Sequence, residues 1–341
     1  MTTLSKAEIS YIRSSLLSNP PLRTDGRSPE DFRPIALETG VAPLANGSAR
    51  VSIGRCGPDS DRETEGGNGG TEVIAAVKLE VNGAGEEEEG GNIICSVSCS
   101  PAAYPSLSSP ALDDLQSDLS TLLGSILSHP SLRPKNLEIV PGKKAWVLRL
   151  DAIVFSDAGN IVDCLMMACR AALWDTRVPR TKGVEYRVSG KESSRDDGDM
   201  DMDVRTKSLL ETRETSTVTD FELADYWDDG EVLETRDAWP VCVTLNMLPT
   251  VHILDATPQE ETAVPLRMHV IYAFPGGKPV LHGLRTAGVG TSDMTQVAAL
   301  VKHAEKYARQ MWSGLEAKLR EEEVRRGVKA REKFHGRRRY P

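Results

Sequence analysis

At 341 residues the chain can bury a large core in one domain or two, and its net charge of −9 hides an uneven placement, because residues 315–341 carry ten Lys or Arg against five Glu. An acidic body with a basic end excludes a protein coated in positive charge and points to a specific protein surface plus a polyanion contact. No apolar run approaches the length that spans a bilayer and the N-terminus lacks a signal peptide's apolar core, so a soluble, intracellular chain without a membrane partner is expected.

In chain order, Ser5 and Glu8 form a capping box ahead of Ile9, Ile12, Leu16 and Leu17 at helical spacing. A polar turn, Arg23-Thr24-Asp25-Gly26-Arg27, leads to Arg33-Pro34-Ile35. Residues 49–53, 72–81 and 93–99 read as strands. Ser109-Pro110 opens a helix whose apolar face is Leu112, Leu115, Leu119, Leu122, Leu123, Ile126 and Leu127, and His129-Pro130 ends it. Residues 137–140 and 145–155 read as two strands joined through Pro141-Gly142, and Ser156-Asp157-Ala158-Gly159-Asn160 makes a second turn. A helix over 161–173 follows, with Leu165, Ala168, Cys169 and Ala172 toward the core. The pattern then repeats: strands at 241–245, 251–254, 266–273 and 280–286, a turn at Pro275-Gly276-Gly277, and a long helix from near Ser292. Its stripe is Met294, Val297, Val301, Ala304, Tyr307, Ala308, Met311 and Leu315. Polar insertions at 54–70, 86–91 and 189–217 cannot bury enough apolar surface to offset their ordering entropy, and are expected to be mobile loops.

The opening Arg23-Thr24-Asp25-Gly26-Arg27 with Arg33-Pro34-Ile35 resembles the signature of the RNase PH family, as it occurs in ring subunits of the eukaryotic RNA exosome. Four further places extend the resemblance over roughly 5–312: residues 71–78; 150–154 with Asp157-Ala158-Gly159-Asn160; Ala171-Ala172-Leu173 with Val178-Pro179; and Asp255-Ala256-Thr257 with Glu260-Glu261. The element order fits an α+β protein, and the resemblance implies an RNase PH-like fold of two similar strand-helix halves, each like domain 2 of ribosomal protein S5. The expected divisions are 1–30 for the N-terminal helix and signature turn, 31–180 for the first half, 181–235 for an insertion, 236–314 for the second half and 315–341 for a charged extension.

Phosphorolytic members of this family bind inorganic phosphate through arginines and assist the leaving group with an acid. Here the stretch before the first long helix is Ser100-Pro101-Ala102-Ala103-Tyr104, without a basic residue, and the family's Gly-Thr-Arg is matched by Gly159-Asn160-Ile161. By spacing, Glu261 stands at the first acidic position and Arg267 at the second, a reversal of charge. The resemblance therefore implies degenerate positions at Ile161, Glu261 and Arg267 and no catalytic residue. Glu260 and Glu261, read as neighbours in an extended segment, point to opposite sides of a solvated acidic turn. No nucleophile elbow, zinc-protease helix or phosphate loop is present.

Cys56, Cys95, Cys99, Cys164, Cys169 and Cys242 lack a paired zinc-like spacing and read as reduced, buried thiols, so neither metal nor cofactor is expected. The histidines at 129, 252, 269, 282, 303 and 335 do not cluster in sequence, and His269, on a strand, reads as a satisfied core or surface imidazole rather than one reaching a substrate groove. Candidate RNA contacts are Arg325, Arg326, Lys329, Arg331, Lys333, Arg337, Arg338 and Arg339; with only Phe334 and Tyr340 among them, phosphate contact is favoured over stacking, and a disordered solubilising tail is the competing reading. The resemblance implies a non-catalytic member of a six-subunit ring, partnered by other ring subunits, RNA-binding caps and an attached exoribonuclease, in nucleus, nucleolus and cytoplasm. An active phosphate-dependent exoribonuclease and a stand-alone RNA-binding protein are the alternatives.

Overall fold

The computed structural model describes residues 4–54, 69–83, 91–140, 142–184, 220–223, 230–291 and 293–337, with side chains to 328 in the last helix. The three polar insertions lie almost wholly outside the described residues. At the N-terminus, helix α1 (Lys6–Leu16) starts from Ser5, whose amide donates to the Glu8 carboxylate at 2.7 Å while its hydroxyl accepts from the Glu8 amide. The capping box forms, and Ile12 and Leu16 bury against Ile253, Ala263 and Val264.

Strands β1 (Ile35–Thr39), β2 (Gly47–Ile53), β3 (Thr71–Gly83) and β4 (Ile93–Cys99) lead to helix α2 (Ser109–Leu127) and then to β5 (Glu138–Val140) and β6 (Lys144–Ser156). They form one sheet in the order β1-β2-β3-β6-β4, with β5 paired to β6; all its pairs are antiparallel except β4 on β6. No periodic run marks β1; Leu37 is its one buried residue, set by pairing against Val51. Helix α2 packs its leucine face on β4, and Gln116 and Ser120 accept the amides of Cys99 and Val97.

Helix α3 (Ile161–Asp175) is buried on all sides from Val162 to Asp175, far beyond the four core residues its periodicity offers. The reason is its place between two sheets: one flank meets β2 and β3, the other meets β11 (Val241–Met247), whose seven residues are all buried. A helix apolar all round is a helix buried all round. Two short pairings precede β11: β7 (Arg177–Val178) with β10 (Glu231–Val232), and β8 (Thr181–Val184) with β9 (Asp220–Leu223). Because Val184 faces Asp220, the two ends of the 185–219 segment start side by side.

The second sheet runs β12-β11-β13-β14, all antiparallel, from β12 (His252–Leu254), β13 (Arg267–Ala273) and β14 (Val280–Ala287), with α4 (Pro258–Ala263) between β12 and β13. Helix α5 (Met294–Arg337) crosses β11 and β13. Ala304, Tyr307, Ala308, Met311, Leu315 and Leu319 are its buried face. Met294, expected in that stripe, is instead 78% exposed, because it precedes the first turn that touches the sheet.

The last helix runs on through much of the charged extension, its backbone helical to Arg337. Ion pairs within the helix hold it: Glu316 with Arg320, Lys318 with Glu321, and Glu322 with Arg325, at 3.2, 2.9 and 3.3 Å. Glu323 reaches Arg177 and Arg236, and Arg326 pairs with Asp175. Ending the chain after Gly314 is therefore expected to lower stability by at least about 4 kcal/mol, the order of two deleted core leucines. Ending it after Gly327 should change the unfolding midpoint little; equal midpoints for the two truncations would show that α5 past Gly314 is not part of the core.

Candidate functional site

The three signature arginines are spent inside the protein. Arg33 grips the buried Asp255 with Nε at 2.8 Å, Nη2 at 2.6 Å and its own amide at 2.7 Å. Arg27 adds Nη1 at 2.9 Å to the same carboxylate, and Arg33 also donates to the carbonyls of Ala158 and Gly159. Arg23 makes a bidentate pair with Glu260, at 2.9 and 2.7 Å, and donates to the carbonyls of Leu254 and Asp255. The turn that carries the resemblance is thus a bolt between the N-terminal arm and the second half. Burial pushes the Asp255 carboxyl up, but the hydrogen bonds and charge of Arg33, with Arg27, outweigh it and hold it below the ordinary range.

Glu260 and Glu261 do not form a solvated extended turn. Residues 258–263 are helical because Thr257 and Glu260 make a reciprocal capping box, and Glu260 is 1% exposed against Arg23. The Thr257-Pro258-Gln259-Glu260 spacing is the sequence signal that identifies it.

Glu261 instead turns to the start of α3. Its carboxylate accepts the Asn160 amide at 2.9 Å and lies 3.2 Å from Arg267 Nη1. Asn160, at φ 60°, donates its side-chain amide to Asp255 at 3.2 Å; Asp255 itself sits at φ 45°. These two left-handed residues abut, and Gly159 is required between them, since a Cβ there would lie 2.3 Å from the Ala256 carbonyl oxygen. The loop after β4 brings Tyr104 beside Asp157, and its hydroxyl is driven well above its usual range by burial and by that neighbouring acid. Burial also raises the Glu261 carboxyl, opposed by Arg267 and the Asn160 amide. Ile161 packs against the core and offers no polar atom.

The structure therefore brings Glu261 and Arg267 together with Asn160 and sets Ile161 beside them. Each arginine of this region has a carboxylate: Arg23 on Glu260, Arg27 and Arg33 on Asp255, Arg267 on Glu261. Such an arrangement fixes loops well and leaves little positive charge for an incoming phosphate.

From α3 into the second sheet runs a buried hydrogen-bonded chain absent from the sequence reading. Asp163 accepts the Thr244 amide at 3.1 Å and hydroxyl at 2.7 Å, and that hydroxyl oxygen lies 2.9 Å from His269 Nδ1. Burial pushes Asp163 up to about 7 and His269 down to about 4. Four other histidines pair across the fold: His129 with His282 at 5.0 Å between ring centres, His252 with His303 at 5.4 Å. Among the described residues no group of three or more His, Cys, Asp or Glu side chains could hold a metal ion. Cys99, Cys164, Cys169 and Cys242 are buried thiols, Cys95 is half-buried, and Cys56 lies outside the described residues.

Of the basic tail residues, Arg325 and Arg326 are engaged by Glu322 and Asp175 rather than free. Lys329, Arg331, Lys333 and Arg337 stand on helical backbone, and Arg338 and Arg339 lie outside the described residues.

Residues 31–179 match the RNase_PH family, described as the 3′ exoribonuclease family, domain 1. The putative exosome complex exonuclease RRP42 of Dictyostelium discoideum is 28% identical over 320 residues, covering 79% of this chain and 84% of that one. The exosome complex component rrp42 of Schizosaccharomyces pombe is 27% identical over 263 residues, covering 76% and 75%. A chain of the Archaeoglobus fulgidus exosome, solved with RNA bound to the active site, superposes with a TM-score of 0.63 over 90% of this chain and 97% of that one at 19% identity.

Proposed function

This chain belongs to the RNase PH-like family of exosome components, in its Rrp42 type, and from that premise we propose that it is a non-catalytic subunit of a six-membered ring serving 3′-to-5′ RNA processing and decay. Its partners in this reading are the other RNase PH-like ring subunits, RNA-binding caps and an attached exoribonuclease, with RNA passing through the channel. We place the complex in nucleus, nucleolus and cytoplasm. The observation that carries the silent role is the Glu261–Arg267 pair at 3.2 Å. It neutralises the Arg267 guanidinium on the carboxylate that also takes the Asn160 amide at the start of α3, where phosphate would otherwise find a helix dipole and a guanidinium together.

Glu260 is unsuited to a test of chemistry, because Glu260→Gln would leave Arg23 buried and half-paired. The double variant Glu261→Gln/Arg267→Ala removes both charges and leaves no orphan. In the complex reconstituted with its ring neighbours, release of nucleoside diphosphates from RNA in the presence of phosphate is expected to stay within about twofold of wild type, well under the 10²-fold or greater loss typical of a removed catalytic group. A loss of that larger size would establish this subunit as an active phosphorolytic exoribonuclease. Co-purification of the tagged chain with its ring neighbours tests the assembly itself.

A further inference from the structure

We propose that the free edge of β1, with the groove between it and α5, is a docking site for an extended peptide segment of a partner protein, one that carries apolar residues at alternate positions and a cation between them. The inference goes beyond the ring reading above and does not depend on it.

Strand β1 ends the first sheet and pairs only with β2. The Gly54 amide donates to the Pro34 carbonyl at 2.8 Å and the Gly40 amide to the Ser48 carbonyl at 2.8 Å, so the even-numbered residues between them turn their backbone groups to β2. By the same alternation the N–H and C=O groups of Ile35, Leu37 and Thr39 point away from the sheet, and among the described residues nothing bonds to them. The other end of the sheet is closed. There α2 takes the free amides of β4 on Ser120 and Gln116, and the Ser128 hydroxyl donates to the Ile93 carbonyl at 2.6 Å. An uncovered edge is a template for one more strand, and its main-chain bonds select an extended backbone.

The added strand would lie over a groove of about 400 Å³. Phe32, Ile35 and Leu37 line it from the side of β1, and Met311 and Leu315 from α5. Gly314 also lines it, and a Cβ built there would meet nothing within 4 Å. No packing contact therefore requires glycine at this place, although glycine weakens a helix interior. What the missing side chain provides is room in the groove. Side chains alternate across a strand, so an occupant presents every second residue to this apolar surface and the others to solvent. On the solvent side stands Glu38, exposed on the face of β1 opposite the buried Leu37. Its neighbour in register on β2, Arg50, is already paired with Glu72 at 2.7 Å. A Lys or Arg of the added strand beside Glu38 supplies the opposite charge.

The probe is a fluorescein-labelled heptapeptide, Thr-Val-Lys-Val-Lys-Val-Thr, titrated by anisotropy onto the full chain, alone and in the reconstituted ring. Two companion peptides carry Glu in place of both Lys, or N-methyl groups on the three Val that remove the ladder donors. The Lys peptide is expected to bind saturably and the N-methylated one to show no binding up to about 1 mM. Gly314→Leu is expected to abolish binding while keeping or raising the unfolding midpoint, since leucine is the better helix former. Glu38→Lys, a change at an exposed position, is expected to reverse the preference between the Lys and Glu peptides by about fivefold. Absence of saturable binding, or binding indifferent to N-methylation and to Gly314→Leu, would overturn the docking site. Binding by the free chain that is lost in the ring would overturn it as well, because a neighbouring subunit then holds β1.

Discussion

Asp255→Ala is expected to destabilise the chain by about 3–5 kcal/mol, the cost of breaking a buried ion pair from one side. The substitution leaves Arg27 and Arg33 facing each other with their shared carboxylate gone, and it frees the Asn160 side chain that orders the start of α3. Asp25→Ala, beside the same arginines but with its side chain 31% exposed, should cost less than about 1 kcal/mol. Urea unfolding of both variants reads the contrast, and similar midpoints would show that the bolt does not hold the halves together. The pH dependence has a definite sign. Because Asp255 is held below its ordinary value in the folded state, the stability it provides is complete above about pH 4 and lost as pH falls further.

Asp163→Asn is expected to change how stability depends on pH. Asp163 is raised from 3.8 to about 7 by burial, so the folded chain keeps a proton that the unfolded chain gives up. Its contribution is fully present below pH 3.8 and is lost as pH rises toward 7. His269 acts in the opposite direction: lowered from 6.5 to about 4 by burial, it favours folding increasingly as pH rises through that range. In the wild type the two offset one another across Thr244. Removing the acid exposes the imidazole's contribution, so stability of the variant should climb by about 3 kcal/mol between about pH 4 and 6.5, at ~1.4 kcal/mol per unit. The Asn side chain can still accept from the Thr244 amide, which makes simple collapse a poor explanation of any difference. Parallel stability profiles for variant and wild type would show that Asp163 is ionised in the fold.

Most of the frame was legible because it is written in local periodicity. The strand at 93–99, the leucine face of α2 and the repeat of strands before the last helix need only a window of ten residues or so to be seen. Strand β1 was not, since one buried residue in five makes no pattern. The full burial of α3 depends on a second sheet more than sixty residues downstream, and no window contains both. The candidate site was legible as a set of positions and illegible as chemistry. Ile161, Glu261 and Arg267 could be named from the family resemblance, but the pairing of Glu261 with Arg267 and the transfer of Glu260 to Arg23 are decided by which side of a short helix each faces. Reading 258–263 as extended gave the wrong side. The capping box in that same segment carried the correction.

The bolt also sets a clock on synthesis. Arg33 waits 222 residues for Asp255, and Arg23 waits 237 for Glu260. At translation rates of about 5–20 residues per second, these arginines are made roughly 10 to 45 seconds before their carboxylates exist, and the first sheet, complete only with β6, roughly 5 to 20 seconds before. From its own synthesis until that of β11, α3 has one flank covered and one bare. Nascent chains of this protein should therefore be clients of holding chaperones over the whole middle of the reading frame, and codon changes that slow translation between α3 and β12 should lower yield even though they alter no residue.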